Sequence, residues 1–130
     1  MSKIKILGYI RVPNNEDNRE SNNSREHQRQ AIEKYVAEKF YGCEYELDIC
    51  EDVCSGRSPF SKRDGYMQIL PSMLSGEYDV LVLKNISRFS RSPACCVDEL
   101  ARLAAVGVKV SFIDENMHLR GDGLTYHLHT

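Results

Sequence analysis

Apolar positions along the chain fall into short blocks that switch between a period of two and a period near 3.6. Residues 3–12 alternate and then run apolar through Ile4, Ile6, Leu7, Tyr9, Ile10 and Val12, which is the pattern of a strand buried on both faces of a parallel sheet. A polar stretch, residues 14–23, follows. Ala31, Ile32, Tyr35 and Val36 then share one face of a helix predicted over residues 24–39, with Asn23 and Glu26 in capping-box positions. "CEYELDIC" (43–50) alternates as a second strand, and "SGRSPFSKRDG" (55–65) reads as a loop from its Ser, Gly and Pro content. Tyr66, Ile69, Leu70, Met73 and Leu74 return to helical spacing and stop at Gly76, with Pro71 predicting a kink or a shortened helix. "YDVLVLK" (78–84) is a third strand. Ser92 and Pro93 open a helix whose predicted buried stripe is Val97, Leu100, Ala101 and Ala104, ending at Gly107, and "VKVSFID" (108–114) is a fourth strand.

This alternation predicts an α/β fold of three layers: a mostly parallel sheet of four or five strands with right-handed crossovers and helices on both faces, flavodoxin-like in topology. A length of 130 residues suits one domain. In such sheets ligands bind beyond the carboxyl ends of the strands, near a switch in strand order. Those ends carry Arg11 after strand one, Ser55 after strand two, and Arg88 and Arg91 after strand three.

Composition narrows the function classes. With 42% hydrophobic and 28% charged residues the chain is an ordinary folded protein. No apolar run reaches the roughly 20 residues of a membrane span, and "MSKIKILGYI" lacks the features of a signal peptide. A cytoplasmic protein without a membrane partner is expected. A net charge of -2 argues against indiscriminate coating of polyanions, so a polyanion would have to meet a local patch. "LKNISRFSR" (83–91) offers one, with Lys84, Arg88 and Arg91 and no acid between them.

Five cysteines without a C-x-x-C pair support neither a disulfide framework nor a zinc site, and reduced, mostly buried thiols are expected. His127 and His129 read as solvated tail, so no metal is expected. There is no dinucleotide fingerprint, no P-loop and no H-E-x-x-H, so no cofactor is expected either. A receiver domain shares the alternation, but Lys84 and Asn85 stand where it needs an aspartate.

An arginine fork matches phosphate oxygens two at a time. Arg11 follows a run that should be buried, and a buried guanidinium is expected to need an anionic partner. Taken singly, Arg91 reads as a surface ion-pair partner, Ser55, Gly56 and Arg63 as turn chemistry, and Tyr9 and Gln28 as packing and helix surface.

Together, "GYIRV" (8–12), Gln28, "SGRSPFSKRDGYMQIL" (55–70) and "YDVLVLKNISRFSRS" (78–92) resemble the catalytic domain of the resolvase/invertase serine recombinases. The resemblance covers nearly the whole chain. It implies a domain that acts on DNA without metal or cofactor, through a serine that attacks the phosphodiester and forms a phosphoserine link. It implies a phosphate clamp of Arg11, Arg88 and Arg91 supported by Arg63 and Ser55, with Lys84 joining Arg11, Arg88 and Arg91 on the DNA side. It also implies a homo-oligomer, dimer or tetramer, for a full-length protein. The long oligomerising helix and separate DNA-binding domain of that family are expected to lie outside residues 1–130. Two positions depart from the pattern: Pro13 stands where the nucleophilic serine belongs, and Ser87 where an acid precedes the arginine pair. Ser21, Ser24 and Ser87 are the nearby hydroxyls that would have to substitute. The rival readings are a non-catalytic DNA-binding or assembly module that pairs with an active recombinase, and an unrelated anion-binding domain of flavodoxin-like topology.

Overall fold

The computed structural model describes residues 3–13 and 23–119 and the backbone of 126–128. Its elements run β1 (Ile4–Val12), α1 (Arg25–Lys39), β2 (Tyr45–Val53), a 3-10 turn (Phe60–Lys62), α2 (Asp64–Leu74), β3 (Val80–Leu83), α3 (Ile86–Phe89), α4 (Pro93–Ala105), β4 (Lys109–Phe112), β5 (Met117–Leu119) and β6 (Tyr126–Leu128). The sheet order is β2-β1-β3-β4-β5-β6. The first four strands are parallel, as the alternation predicts, and β5 and β6 add an antiparallel edge. These two three-residue strands are too short to show a period, and the pattern does not reveal them.

Alternate residues of the central strands feed two cores. Leu7, Tyr9, Leu81 and Leu83 pack with Tyr66, Leu70 and Met73 of α2 and Leu103 of α4. Ile6, Ile10, Val12, Val80 and Val82 pack on the other face with Ile32 and Val36 of α1. Gly8 permits the close approach of α1, since a Cβ there would stand 2.8 Å from Ile49 Cδ1 and 2.9 Å from Ile32 Cγ2.

Helix boundaries differ from the sequence expectation for local reasons. The N-cap of α1 is Ser24, not Asn23, and its hydroxyl accepts from the His27 N–H. Helix α2 continues through Pro71 to Leu74. Ser92 caps α4 as expected, accepting from the Cys95 N–H. The buried face of α4, however, is Cys96, Glu99, Leu103 and Ala104, and Val97 is 55% exposed. The stripe is turned because Glu99 points inward, where Tyr66 Oη donates to its carboxylate. The cysteines are all free, but only Cys96 is buried and Cys43 is exposed, against the expectation of mostly buried thiols.

Candidate functional site

Because β1 is flanked by β2 on one side and β3 on the other, the strand order reverses at β1/β3, and a cleft at the carboxyl ends of these two strands is where this topology places a site. Arg11, near the end of β1, is 2% exposed. Among the described residues its guanidinium meets no carboxylate. Nε donates to the Arg88 carbonyl at 3.2 Å, Nη1 to the Cys54 carbonyl at 2.9 Å and Nη2 to the Ser87 carbonyl at 2.7 Å. The expected anionic partner is therefore replaced by three backbone dipoles, which tie the ends of β1, β2 and β3 together. Burial, with Arg88 and Arg63 close by, brings the Arg11 guanidinium down to about 10, so it stays charged at neutral pH.

Arg63 forms a second internal clamp. At 1% exposure it donates to the carbonyls of Ser58 (3.2 Å), Phe89 (2.5 Å) and Gly56 (3.3 Å), and its guanidinium lies over the Phe60 ring at 4.3 Å. It joins the loop after β2 to the end of α3.

Arg88 differs from both. It is 5% exposed, and Nη1 donates to the Arg11 carbonyl at 3.0 Å while Nη2 reaches Ser87 Oγ at 3.4 Å. Its Nε is the one buried side-chain polar atom among the described residues without a hydrogen-bond partner. Burial first, and then the charge of Arg91, lowers its proton affinity. A buried donor left open on a charged group is costly unless a ligand completes it.

Arg91 is exposed, and its backbone N–H donates to the Gly56 carbonyl at 2.8 Å. A Cβ at Gly56 would lie 2.8 Å from both Arg11 Nη2 and Arg91 Cγ, so this glycine lets the stem of Arg91 lie beside the Arg11 guanidinium. The structure thus brings Arg11, Arg88 and Arg91 to one place. Ser55 is exposed, and its Oγ accepts from the Arg57 N–H at 3.1 Å, which is turn chemistry. Lys84 is drawn away from the basic run, because Nζ pairs with Asp114 at 2.9 Å. The run lacks an acid along the chain but not in space.

Pro13 is exposed at the end of β1. Of the substitute hydroxyls, Ser21 lies outside the described residues. Ser24 is buried and occupied as the α1 cap, and Ser87 Oγ donates to Asn85 Oδ1 at 2.7 Å. His129 lies outside the described residues, as does the side chain of His127. No group of three or more metal-ligating side chains occurs among the described residues. No helix among them is long and apolar enough to cross a membrane.

Two residues read as packing or surface hold the site. Gln28 is fully buried. Its side-chain amide pairs with both backbone groups of Arg11, accepting from N–H at 3.2 Å and donating to C=O at 3.0 Å, and it also donates to the Asn23 carbonyl at 2.7 Å. Gln28, Ile32 and Val36 are spaced by four, so helical periodicity already placed Gln28 on the buried face. Tyr9 is buried as expected, but its hydroxyl donates to Asp52 at 2.7 Å. Asp52, which the sequence reading missed, also accepts from the N–H groups of Gly65 (2.7 Å) and Tyr66 (2.8 Å), seating the first turn of α2 against the end of β2. Its signal was an acid closing a strand, one loop ahead of a helix start.

A family model described as "Resolvase, N terminal domain" matches residues 6–127. Among solved structures, the chain resembles the N-terminal catalytic domain of TP901-1 integrase at 17% identity with a TM-score of 0.76, over 88% of this chain and 81% of that one. It also resembles a resolvase family site-specific recombinase from Streptococcus pneumoniae at 21% identity with a TM-score of 0.68, over 89% and 76% of the two chains. A third neighbour is the C-terminal catalytic domain of ISC1926 TnpA, an IS607-like serine recombinase, at 20% identity with a TM-score of 0.70, over 85% and 70%. At these identities the likeness is one of fold. No curated protein sequence matches the chain.

Proposed function

Since the chain belongs to the resolvase N-terminal domain family, we propose that it is a DNA-recombinase domain that binds a backbone phosphate and has lost its nucleophile. The observation that carries this reading is the open Nε of Arg88, buried at the carboxyl edge beside Arg91. A phosphodiester oxygen would complete Arg88 once a side-chain shift uncovers its buried Nε, and the exposed Arg91 would supply the second fork. Arg11 and Arg63 act at one remove, since every nitrogen of both already donates to a carbonyl. They shape the pocket and add positive potential.

Family chemistry needs a hydroxyl in line with phosphorus, and the prolyl ring of Pro13 supplies neither that hydroxyl nor an N–H donor. The domain is therefore read as binding without cleaving. A second reading, which the same residue favours, is a non-catalytic module that assembles with an active recombinase on DNA.

Binding is tested by fluorescence anisotropy of a labelled duplex against the full 130-residue chain over a salt series. Two phosphate contacts, rather than the three of a clamp that includes Arg11, predict a log–log slope of about -2. Arg88→Ala should abolish the binding. Unchanged affinity in that variant would refute the assignment.

A further inference from the structure

We propose that Asp114 and Glu115, in the turn after β4, are positioning residues for the arginine site; this rests on the phosphate reading of that site. The segment from Lys84 to Arg91 carries both ligand-facing arginines, and its only regular structure is the four-residue helix α3. A helix that short does not hold itself. Its entry is held from outside by two carboxylates. Lys84 Nζ and Asn85 Nδ2 both donate to Asp114 Oδ2, at 2.9 and 3.0 Å. The Ile86 N–H is shared by the two oxygens of Glu115 at 3.2 and 3.1 Å. In return, the Asp114 N–H donates to the Lys84 carbonyl at 2.8 Å, so turn and segment are joined in both directions.

Asn85 passes this restraint on to Arg88. A carboxylate only accepts, so Asp114, together with Asn23 Oδ1, which accepts from the same Nδ2 at 3.2 Å, fixes which end of the Asn85 amide faces it: the NH2 end. The carbonyl end then faces α3, where Oδ1 accepts from Ser87 Oγ at 2.7 Å and from the Arg88 N–H at 3.3 Å. Through that one amide the charge of Asp114 sets the cap of α3, the rotamer of Ser87 and the direction in which Arg88 leaves the backbone. Neither carboxylate needs to touch the phosphate. Although burial opposes ionisation, hydrogen bonds from Asn85 and Lys84 and the charge of Lys84 hold the Asp114 carboxyl below its ordinary value, which keeps it a pure acceptor at neutral pH.

The test is the arginine Nε–H spectrum of the nitrogen-15-labelled chain, recorded free and during titration with inorganic sulfate. Asp114→Asn and Glu115→Gln are expected to displace the Arg88 Nε–H peak in the free protein and to weaken sulfate roughly fivefold or more. The Arg63 Nε–H peak, held on the Ser58 carbonyl, should stay in place, which a general loosening of the fold would not allow. Asn85→Ala leaves both carboxylates and removes the Asp114 relay, so it should reproduce the Arg88 displacement, and it decides the Asp114 role if Asp114→Asn fails to fold. An Arg88 peak unmoved in the variants that fold overturns the positioning role. Sulfate that leaves the wild-type Arg88 peak unmoved would instead overturn the phosphate reading, while the free-state displacement would still decide the role of the two acids.

Discussion

Arg11 and Arg88 hold each other by the backbone: Nε of Arg11 donates to the carbonyl of Arg88 at 3.2 Å, and Nη1 of Arg88 donates to the carbonyl of Arg11 at 3.0 Å. Two like charges are thereby packed side by side across the β1/β3 switch. Each loses affinity for its proton, chiefly through burial. The arrangement persists because carbonyl dipoles, including one from each arginine's own residue, receive both guanidinium groups. The two are not equivalent, since Arg11 has a partner on every nitrogen and Arg88 does not.

On the proposed reading, that asymmetry separates a structural arginine from a ligand-binding one. Arg11→Ala strands the carbonyls of Cys54, Ser87 and Arg88 and should destabilise the fold by about 3 kcal/mol, allowing for partial solvation of the three. Arg88→Ala removes a group that already has an open donor, and should cost less than about 1.5 kcal/mol while abolishing binding to duplex DNA. Urea melts and anisotropy on the two variants check both. Equal losses of stability would contradict the division of labour.

Gly56 is where a methyl group would do damage. Its carbonyl serves Arg63 Nη2 and the Arg91 N–H, and its Cα hydrogen faces Arg11 Nη2 and the Arg91 stem. In Gly56→Ala the flexible Arg91 arm gives way first. The expected result is several-fold weaker DNA binding with a stability loss of roughly 1–3 kcal/mol, the usual range for overpacking. Binding at wild-type strength would show that the Arg91 stem is not held there.

How much of this the sequence carried depended on the range of the interaction. β1 and β3 were legible as apolar runs, and the start of α4 as Ser92 followed by Pro93, because strand burial and capping are written locally. The edge at which the arginines meet followed from strand–helix alternation alone. What stayed hidden were partnerships across the sheet. Arg11 was expected to need an acid, but carbonyls 43 to 77 residues away fill that role. Lys84 looked unopposed until the turn after β4 brought Asp114 to it. Glu99 broke the apolar stripe of α4 because its partner, Tyr66, belongs to another helix.

Thiol reactivity gives a check on burial that is independent of the arginine site. Burial, and then the charges of Asp52 and Glu51, push the Cys50 thiol up to about 12, so its thiolate fraction at pH 8 is on the order of 10⁻⁴. Iodoacetamide at pH 8 should alkylate the exposed Cys43 long before Cys50, as read by peptide mass spectrometry. The same shift has a stability sign. The native state keeps the proton that the unfolded chain gives up, so the contribution of Cys50 is complete below its ordinary value near 9.0 and is lost as pH rises towards about 12. Alkylation of both thiols at one rate would contradict the partial burial of Cys50.

The nucleophile is the sharpest question the fold poses. Val12 still pairs in the sheet, its carbonyl accepting from the Cys54 N–H at 2.9 Å, and Pro13 is the first exposed residue beyond it. Position 13 lies two residues beyond Arg11, immediately after the strand, so a serine there is expected to carry its hydroxyl towards the arginines. Incubating the wild-type chain with a nicked suicide substrate should give no covalent protein–DNA band, because positively charged groups that hold a phosphate cannot replace the attacking oxygen. Pro13→Ser should produce a band at least about 10³-fold above that background, and adding Arg88→Ala should remove it again. A wild-type band that disappears in Ser87→Ala would mean that the hydroxyl now donating to Asn85 turns to attack phosphorus, and that the domain cleaves DNA after all.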